Sequence, residues 1–160
     1  MKRNTIFTVL ALAFILTIGG RLQASTSKAV DDIREAVFRH QLQTYRNYQH
    51  EVKVYFLDIG GKQRKDPSSK FMKQFASHVP PVRQVSKSEY HAETMRVLEK
   101  KTGNRGIILR VMTVKLVKKT EAHVTGGYFV NGRAGSHNNY LVVHKNGKWV
   151  VMKDTCTAIF

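Results

Sequence analysis

Asn139-Tyr140-Leu141-Val142-Val143-His144-Lys145-Asn146-Gly147-Lys148-Trp149-Val150-Val151-Met152 decides the fold of this chain. Two apolar-rich runs flank Asn146-Gly147, and both turn residues accept φ > 0, as a two-residue hairpin turn requires. Upstream, Val130 to His137 is a loop rich in Asn, Gly and Ser, and Ala122-His123-Val124-Thr125-Gly126-Gly127-Tyr128-Phe129 reads as another strand. A turn near Lys119–Glu121 joins it to Gly106-Ile107-Ile108-Leu109-Arg110-Val111 and Thr113 to Lys118, where Lys115 and Lys118 alternate with apolar residues. Four successive strands joined by hairpin turns make an antiparallel meander. Gly126-Gly127 within it marks a β-bulge or a bend that curls the sheet.

Further from this core the pattern changes period. Val30, Ile33, Val37, Phe38, Leu42 and Tyr45 recur at three- and four-residue spacing, the stripe of an amphipathic helix. Ser27 is its expected N-cap, with Asp31, Asp32 and Glu35 near the positive end of the dipole. The helix is expected to fray over Asn47–His50. Val52 to Ile59 reads as a strand closed by Gly60-Gly61, and Asp66-Pro67 as the cap and first residue of a short second helix that buries Phe71, Met72 and Phe75. Val79-Pro80-Pro81-Val82 forces extended chain. Gln84 to Lys101 carries little signal, except that Val97-Leu98-Glu99 and the run after Arg105 pattern as a hairpin. Helices first and a meander last predict an α+β domain: N-terminal helices packed on a curved antiparallel sheet that leaves a cone-shaped cavity open at one end.

Residues 1–24 are set apart. Lys2 and Arg3 precede a mostly apolar run, Ile6 to Ile18; Gly19-Gly20 would end a helix there, and Leu22-Gln23-Ala24 offers a small-residue cleavage site. That order predicts a cleaved secretory signal peptide over 1–24 and a single domain over 25–160, exported to the periplasm or the medium. The apolar run is short for a membrane span, which needs about 20 residues. Three of the 27 basic residues (Lys2, Arg3, Arg21) leave with the leader, so the net charge falls from +16 to +13.

Composition removes several classes. A hydrophobic fraction of 42% over 160 residues is too high for a disordered tail, and the three prolines are too few for a proline-rich linker. The one cysteine excludes a disulfide framework within the chain and a cysteine-based zinc cluster. Cys156 reads as a small, partly buried apolar residue. Seven histidines show no i, i+4 pair and no His-x-His spacing, so the sequence calls for no metal and no cofactor.

On Ile33-Arg34-Glu35-Ala36-Val37-Phe38, Asp66-Pro67-Ser68-Ser69-Lys70-Phe71 and the final hairpin, Tyr140 to Val151, the chain resembles the nuclear-transport-factor-two-like superfamily over about residues 28–160. It is similar to small exported bacterial proteins of unassigned function, and the cystatin-like arrangement is a close relative. The Gln-x-Val-x-Gly hairpin of cystatin inhibitors is missing, which argues against protease inhibition. The resemblance implies a ligand cavity and, in the superfamily's isomerases and dehydratases, a base facing a hydroxyl donor inside it.

Few residues here suit that chemistry. Asp58, Glu121 and Asp154 fall near expected strand ends, where carboxylates are solvated. His123, mid-strand, and Asp58 are the candidate bases. Tyr45, Tyr55, Tyr128 and Tyr140 are the candidate cavity lining, each an apolar ring with one hydroxyl. Basic residues cluster at Lys62, Arg64 and Lys65, at Lys70 and Lys73, and at Lys115, Lys118 and Lys119. Such a field attracts polyanions or an anionic envelope surface over about 8 Å in physiological salt. No motif for sequence-specific nucleic-acid binding accompanies it. The leading expectation is a noncatalytic exported binding or accessory domain, with a small apolar or amphipathic ligand in the cavity and a basic exterior. A small enzyme using His123 or Asp58 as base is the alternative, a polyanion or envelope-surface binder a second, and a homodimer through the exposed sheet face a third.

Overall fold

The computed structural model describes the backbone of residues 7–46 and 51–160 and the side chains of residues 26–46 and 51–160. The chain divides into two units, Met1–Asp32 and Ile33–Phe160. Helix α1, Phe7–Thr44, begins in the first and ends in the second. In the first unit the backbone stays helical through Gly19-Gly20 and Ser27, so Ser27 is not an N-cap and the glycines do not end the helix. Each glycine costs a helix only about 1 kcal/mol against alanine, which a long hydrogen-bonded run absorbs. An i, i+4 ion pair, Lys28 Nζ to Asp32 Oδ2 at 2.9 Å, lies on the solvent side. Of the expected leader, residues 1–6 lie outside the described residues, as does the expected fraying over 47–50. Among the described residues no helix is long and apolar enough to cross a membrane.

The second unit is α+β. Its sheet has six strands: β1 (Val54–Asp58), β2 (Val82–Gln84), β5 (Gly106–Lys118), β6 (Glu121–Asn131), β7 (Ala134–Lys145) and β8 (Lys148–Ile159), in the order β2-β1-β5-β6-β7-β8. The meander β5–β8 is antiparallel as expected. The other side of the sheet is not: β1 runs parallel to both β2 and β5. The sheet is therefore mixed. All five residues of β1 are buried, as befits a strand covered on both faces. Tyr55 and Leu57 face the core under α1, whereas Val54 and Phe56 join Val85, Val97 and Ile108 in a second cluster.

That second cluster lies under the segment with the weakest sequence signal. Strands β3 (Ser88–His91) and β4 (Arg96–Glu99) form a separate two-stranded antiparallel sheet. The expected hairpin between β4 and the run after Arg105 shrinks to one bridge, Leu98 to Arg105. Beyond that bridge the chain enters β5, whose first residues pair with β1 instead. Burial of Ile107, Ile108 and Leu109, all fully buried, outweighs the local turn.

The short helix α2 (Ser69–Met72) starts two residues later than expected. Its N-cap is Ser68, whose Oγ accepts the N–H of Phe71 at 3.1 Å. Asp66 is engaged elsewhere, its Oδ1 accepting the N–H of Ser86 at 2.8 Å. Phe71 and Phe75 then meet Phe38 of α1 edge-on, with ring centroids 6.1 and 6.5 Å away.

From Ile33 onward α1 buries Ile33, Val37, Phe38 and Leu42 against the sheet. The unexpected member of that face is Gln41, 1% exposed. Strands β5 and β6 slip register between Val111 and Thr113, and Gly127 opposite takes φ 144°. A Cβ on Gly126 would sit 2.2 Å from the Arg110 carbonyl oxygen, so only glycine lets the strands pass this closely. Gln41 Nε2 donates to Arg110 O at 3.0 Å and Gly127 O at 3.2 Å, and meets the Tyr140 hydroxyl at 3.0 Å. Two amide hydrogens serve three oxygens in a shared arrangement. Replacing Gln41 by Leu keeps the volume and strips that donor from buried carbonyls, each worth about 1–3 kcal/mol when orphaned. The substitution also removes Gln41 Oε1, which is buried without a partner, so urea unfolding of Gln41→Leu should show a net loss of about 1–2 kcal/mol; a loss under about 0.5 kcal/mol, the size of a surface substitution, would contradict this role.

Candidate functional site

The four tyrosines expected to line a cavity come together, but as core. Tyr55 is fully buried and Tyr140 is 2% exposed. The Tyr55 hydroxyl donates to the Tyr45 carbonyl at 3.3 Å, and the Tyr45 and Tyr128 rings pack with centroids 4.4 Å apart. Burial raises the pKa of Tyr45 and Tyr140 well above the ordinary phenol value, and that of Tyr55 too. For Tyr45 the neighbouring Tyr140 adds to the shift.

Beside these rings, strand β8 corrects the expectation for Asp154. The strand runs to Ile159, so Asp154 stands in its middle, on the inner face next to Tyr140. Its side chain is 24% exposed and accepts two hydrogen bonds: His40 Nε2 at 3.0 Å from α1, and Asn138 Nδ2 at 2.6 Å from β7. Ser136 Oγ in turn donates to Asn138 Oδ1 at 2.5 Å. Because a carboxylate only accepts, the proton of neutral His40 sits on Nε2 and the lone pair on Nδ1. A base nitrogen positioned by a carboxylate is thus built from α1, β7 and β8. Sequence spacing could not show it, since His40 and Asp154 are 114 residues apart.

The two expected bases lie elsewhere. Asp58 is 2% exposed, and its Oδ1 accepts the N–H groups of Gly60 at 2.8 Å and Lys65 at 3.0 Å, closing the loop after β1. Arg110 Nε stands 3.7 Å from its other oxygen; burial lowers the Arg110 pKa, and the Asp58 charge opposes that shift. His123 occupies the outer face of β6, its side chain 61% exposed and 3.7 Å from Glu121 Oε1. Neither stands within hydrogen-bonding distance of a tyrosine hydroxyl among the contacts described. Cys156, expected to be partly buried, is exposed, because the edge strand β8 has solvent on its far side. Among the described residues no group of three His, Cys, Asp or Glu could hold a metal ion.

The basic residues are solvent-exposed: Lys62, Arg64 and Lys65 on the loop after β1, Lys70 and Lys73 around α2, Lys115 and Lys118 along the end of β5, and Lys119 in the turn after it. Of these, Lys118 leans on Glu121 at 3.4 Å. Two concavities carry further charge. One groove, of about 690 Å³, is lined by Arg83, Lys87, Lys100, Lys101 and a single acid, Glu99. Arg83 lies 3.6 Å from Glu99, and Lys100 donates to Ser86 O at 2.9 Å. The pairing of Arg83 with Glu99 leaves three uncancelled cations there. The second, a trough of about 440 Å³, crosses the outer face of β5–β8 around His123.

No family model, curated protein or solved structure matches the chain.

The tyrosine environment gives a direct check. A proton held more tightly in the folded state than in the unfolded one stabilises the fold below the unfolded pKa, about 10 for tyrosine, and that stability is lost as pH rises beyond it. Absorbance titration at 295 nm should therefore show Tyr45, Tyr55 and Tyr140 ionising only with unfolding, and denaturant midpoints should fall as pH rises above about 10. Ionisation of all six tyrosines of the chain near pH 10 in the folded protein would contradict the burial described.

Proposed function

We propose that the domain is an exported, noncatalytic binding or accessory module of the nuclear-transport-factor-two-like kind, and that its ligands are polyanions held on its basic exterior. The groove of Arg83, Lys87, Lys100 and Lys101 carries this reading, because Glu99 is the one acid lining it. Cations gathered in a concave surface focus the field on an approaching anion. The formal charge of +13 left once residues 1–24 are removed adds a long-range attraction that salt screens. Export rests on the leader pattern of residues 1–24.

Heparin-column retention and flotation with vesicles containing phosphatidylglycerol separate the two sources of negative charge. We expect retention on heparin at about 50 mM salt and release as the screening length shrinks toward about 4 Å near half-molar salt. Lys100→Glu with Lys101→Glu should lower the salt needed for release markedly. No retention at low salt, on heparin or vesicles, would remove the reading.

One observation favours a second reading: the His40 imidazole held by Asp154 at 3.0 Å. In it the domain is a small acid–base enzyme, and His40, in place of His123 or Asp58, takes a proton from a carbon acid. Deuterium uptake at the CH2 between the carbonyl and the double bond of a cyclic β,γ-unsaturated ketone in D₂O, followed by NMR, should then exceed the buffer rate. It should fall to that rate in His40→Gln and persist in His123→Gln. Uptake equal to buffer in the unmodified protein would dismiss it.

A further inference from the structure

The trough around His123 is ordered in a way that the rest of the basic surface is not. Strand register sets two parallel rows across β5, β6, β7 and β8, all on the face away from α1. Lys115, His123, Leu141 and Lys153 are mutual partners in one row. Thr113, Thr125, Asn139 and Thr155 are partners in the next. All eight line the same trough. The intervening residues Val124, Tyr140 and Asp154 point to the opposite face, as the two-residue strand period demands.

The rows differ in chemistry. The first offers two ammonium groups and an imidazole on either side of an apolar Leu141. The second offers three hydroxyls and a carboxamide, each able both to donate and to accept. Thr113 Oγ1 and Thr125 Oγ1 already lie 2.6 Å apart, which fixes their rotamers toward each other and preorganises that end. Thr155, Asn139, Lys115 and Lys153 make no side-chain hydrogen bond to another described residue, so their polar groups are available to a ligand. The single carboxylate nearby, Glu121, stands one row further along, occupied by Lys118 at 3.4 Å and facing His123 at 3.7 Å.

A pure polyanion needs only the cations. A row of neutral donor–acceptor groups beside them matches a ligand that carries hydroxyls as well as negative charge. We infer that this trough is a binding site for an acidic oligosaccharide, its carboxylates on the Lys115–His123–Lys153 row and its hydroxyls on the Thr113–Thr125–Asn139–Thr155 row. The inference rests on the anion-binding reading above and gives it a ligand class and a second location. Register shifts in β8 between the Val142–Val151 and Leu141–Lys153 pairs, and in β5 between Val111 and Thr113, bend the outer strands at the trough's borders. Each bend lets the side chains of neighbouring strands converge, as a concave site requires.

Titrating the isotope-labelled full chain with tetragalacturonate at about 100 mM salt, followed by amide chemical shifts, tests this. We expect the largest shifts at Thr113, Thr125, Asn139 and Lys153. Lys115→Gln with Lys153→Gln should weaken binding at least tenfold, since charged hydrogen bonds are the strong ones. Asn139→Ala should weaken it severalfold, and the methyl-esterified, uncharged saccharide should bind at least tenfold more weakly. Lys115, Lys153 and Asn139 are exposed strand positions, so the variants keep the fold, which the unaffected shifts of core residues verify. Shifts centred on Lys87 and Lys101 would overturn the assignment and leave general polyanion binding standing. So would an equally tight thymidine oligonucleotide of the same charge, because charge alone would then account for affinity. Absence of saccharide binding, with heparin still retained, also refutes the trough; loss of both refutes the parent reading as well.

Discussion

A glutamine amide between a helix and a bulged pair of strands is the constraint on which the second unit depends. Strands β5 and β6 cannot keep a regular ladder past Val111, and Gly126-Gly127 lets their backbones come close enough for the sheet to bend. The bend leaves the Arg110 and Gly127 carbonyls buried, and Gln41 supplies their donor. Burying a polar group without such a partner costs several times what a made hydrogen bond returns. The amide therefore fixes where along the helix the sheet docks, which a purely apolar stripe of Ile33, Val37, Phe38 and Leu42 would leave loosely specified.

Docking at that position sorts the rest of the surface. The inner face of β7 and β8 is brought beneath the last turns of α1, so His40 reaches Asp154 and Tyr140 reaches Gln41. The outer face of the same strands is left to solvent, and the two-residue period then places lysines, threonines and His123 together on it. Two sets of polar residues with different chemistry thus stand back to back on one set of strands: a connected, partly buried chain inside, and open rows outside.

The sequence makes the meander legible because each hairpin is a local event, announced by Asn146-Gly147 and by alternation across Lys115 to Lys118. The stripe of α1 from Ile33 was readable for the same reason. Parallel pairing of β1 with β5 was not, since Val54 and Gly106 lie far apart in the sequence and no local turn announces their pairing. A fully apolar five-residue run was the available signal for a strand covered on both faces. The second helix was legible as a helix and misplaced at its cap, because Asp66 and Ser68 are both good caps and the Ser86 N–H claims the former. Among site residues, Tyr45, Tyr55, Tyr128 and Tyr140 were expected to line a cavity and instead pack in or against the core, whereas His40 and Asp154 were hidden by their separation and by ending β8 too early. Their contact is tertiary, and no short-range pattern encodes it.

At the bend, Gln41 of the helix and Tyr140 of the sheet share one hydrogen-bond network. A double-mutant cycle of Gln41→Leu and Tyr140→Phe, read by urea unfolding, measures that coupling directly. The two substitutions should be less damaging together than the sum of each alone, by about 1 kcal/mol. Additivity within about 0.3 kcal/mol would mean that the two side chains do not meet, and the docking of the helix on the bent sheet would have to be placed elsewhere.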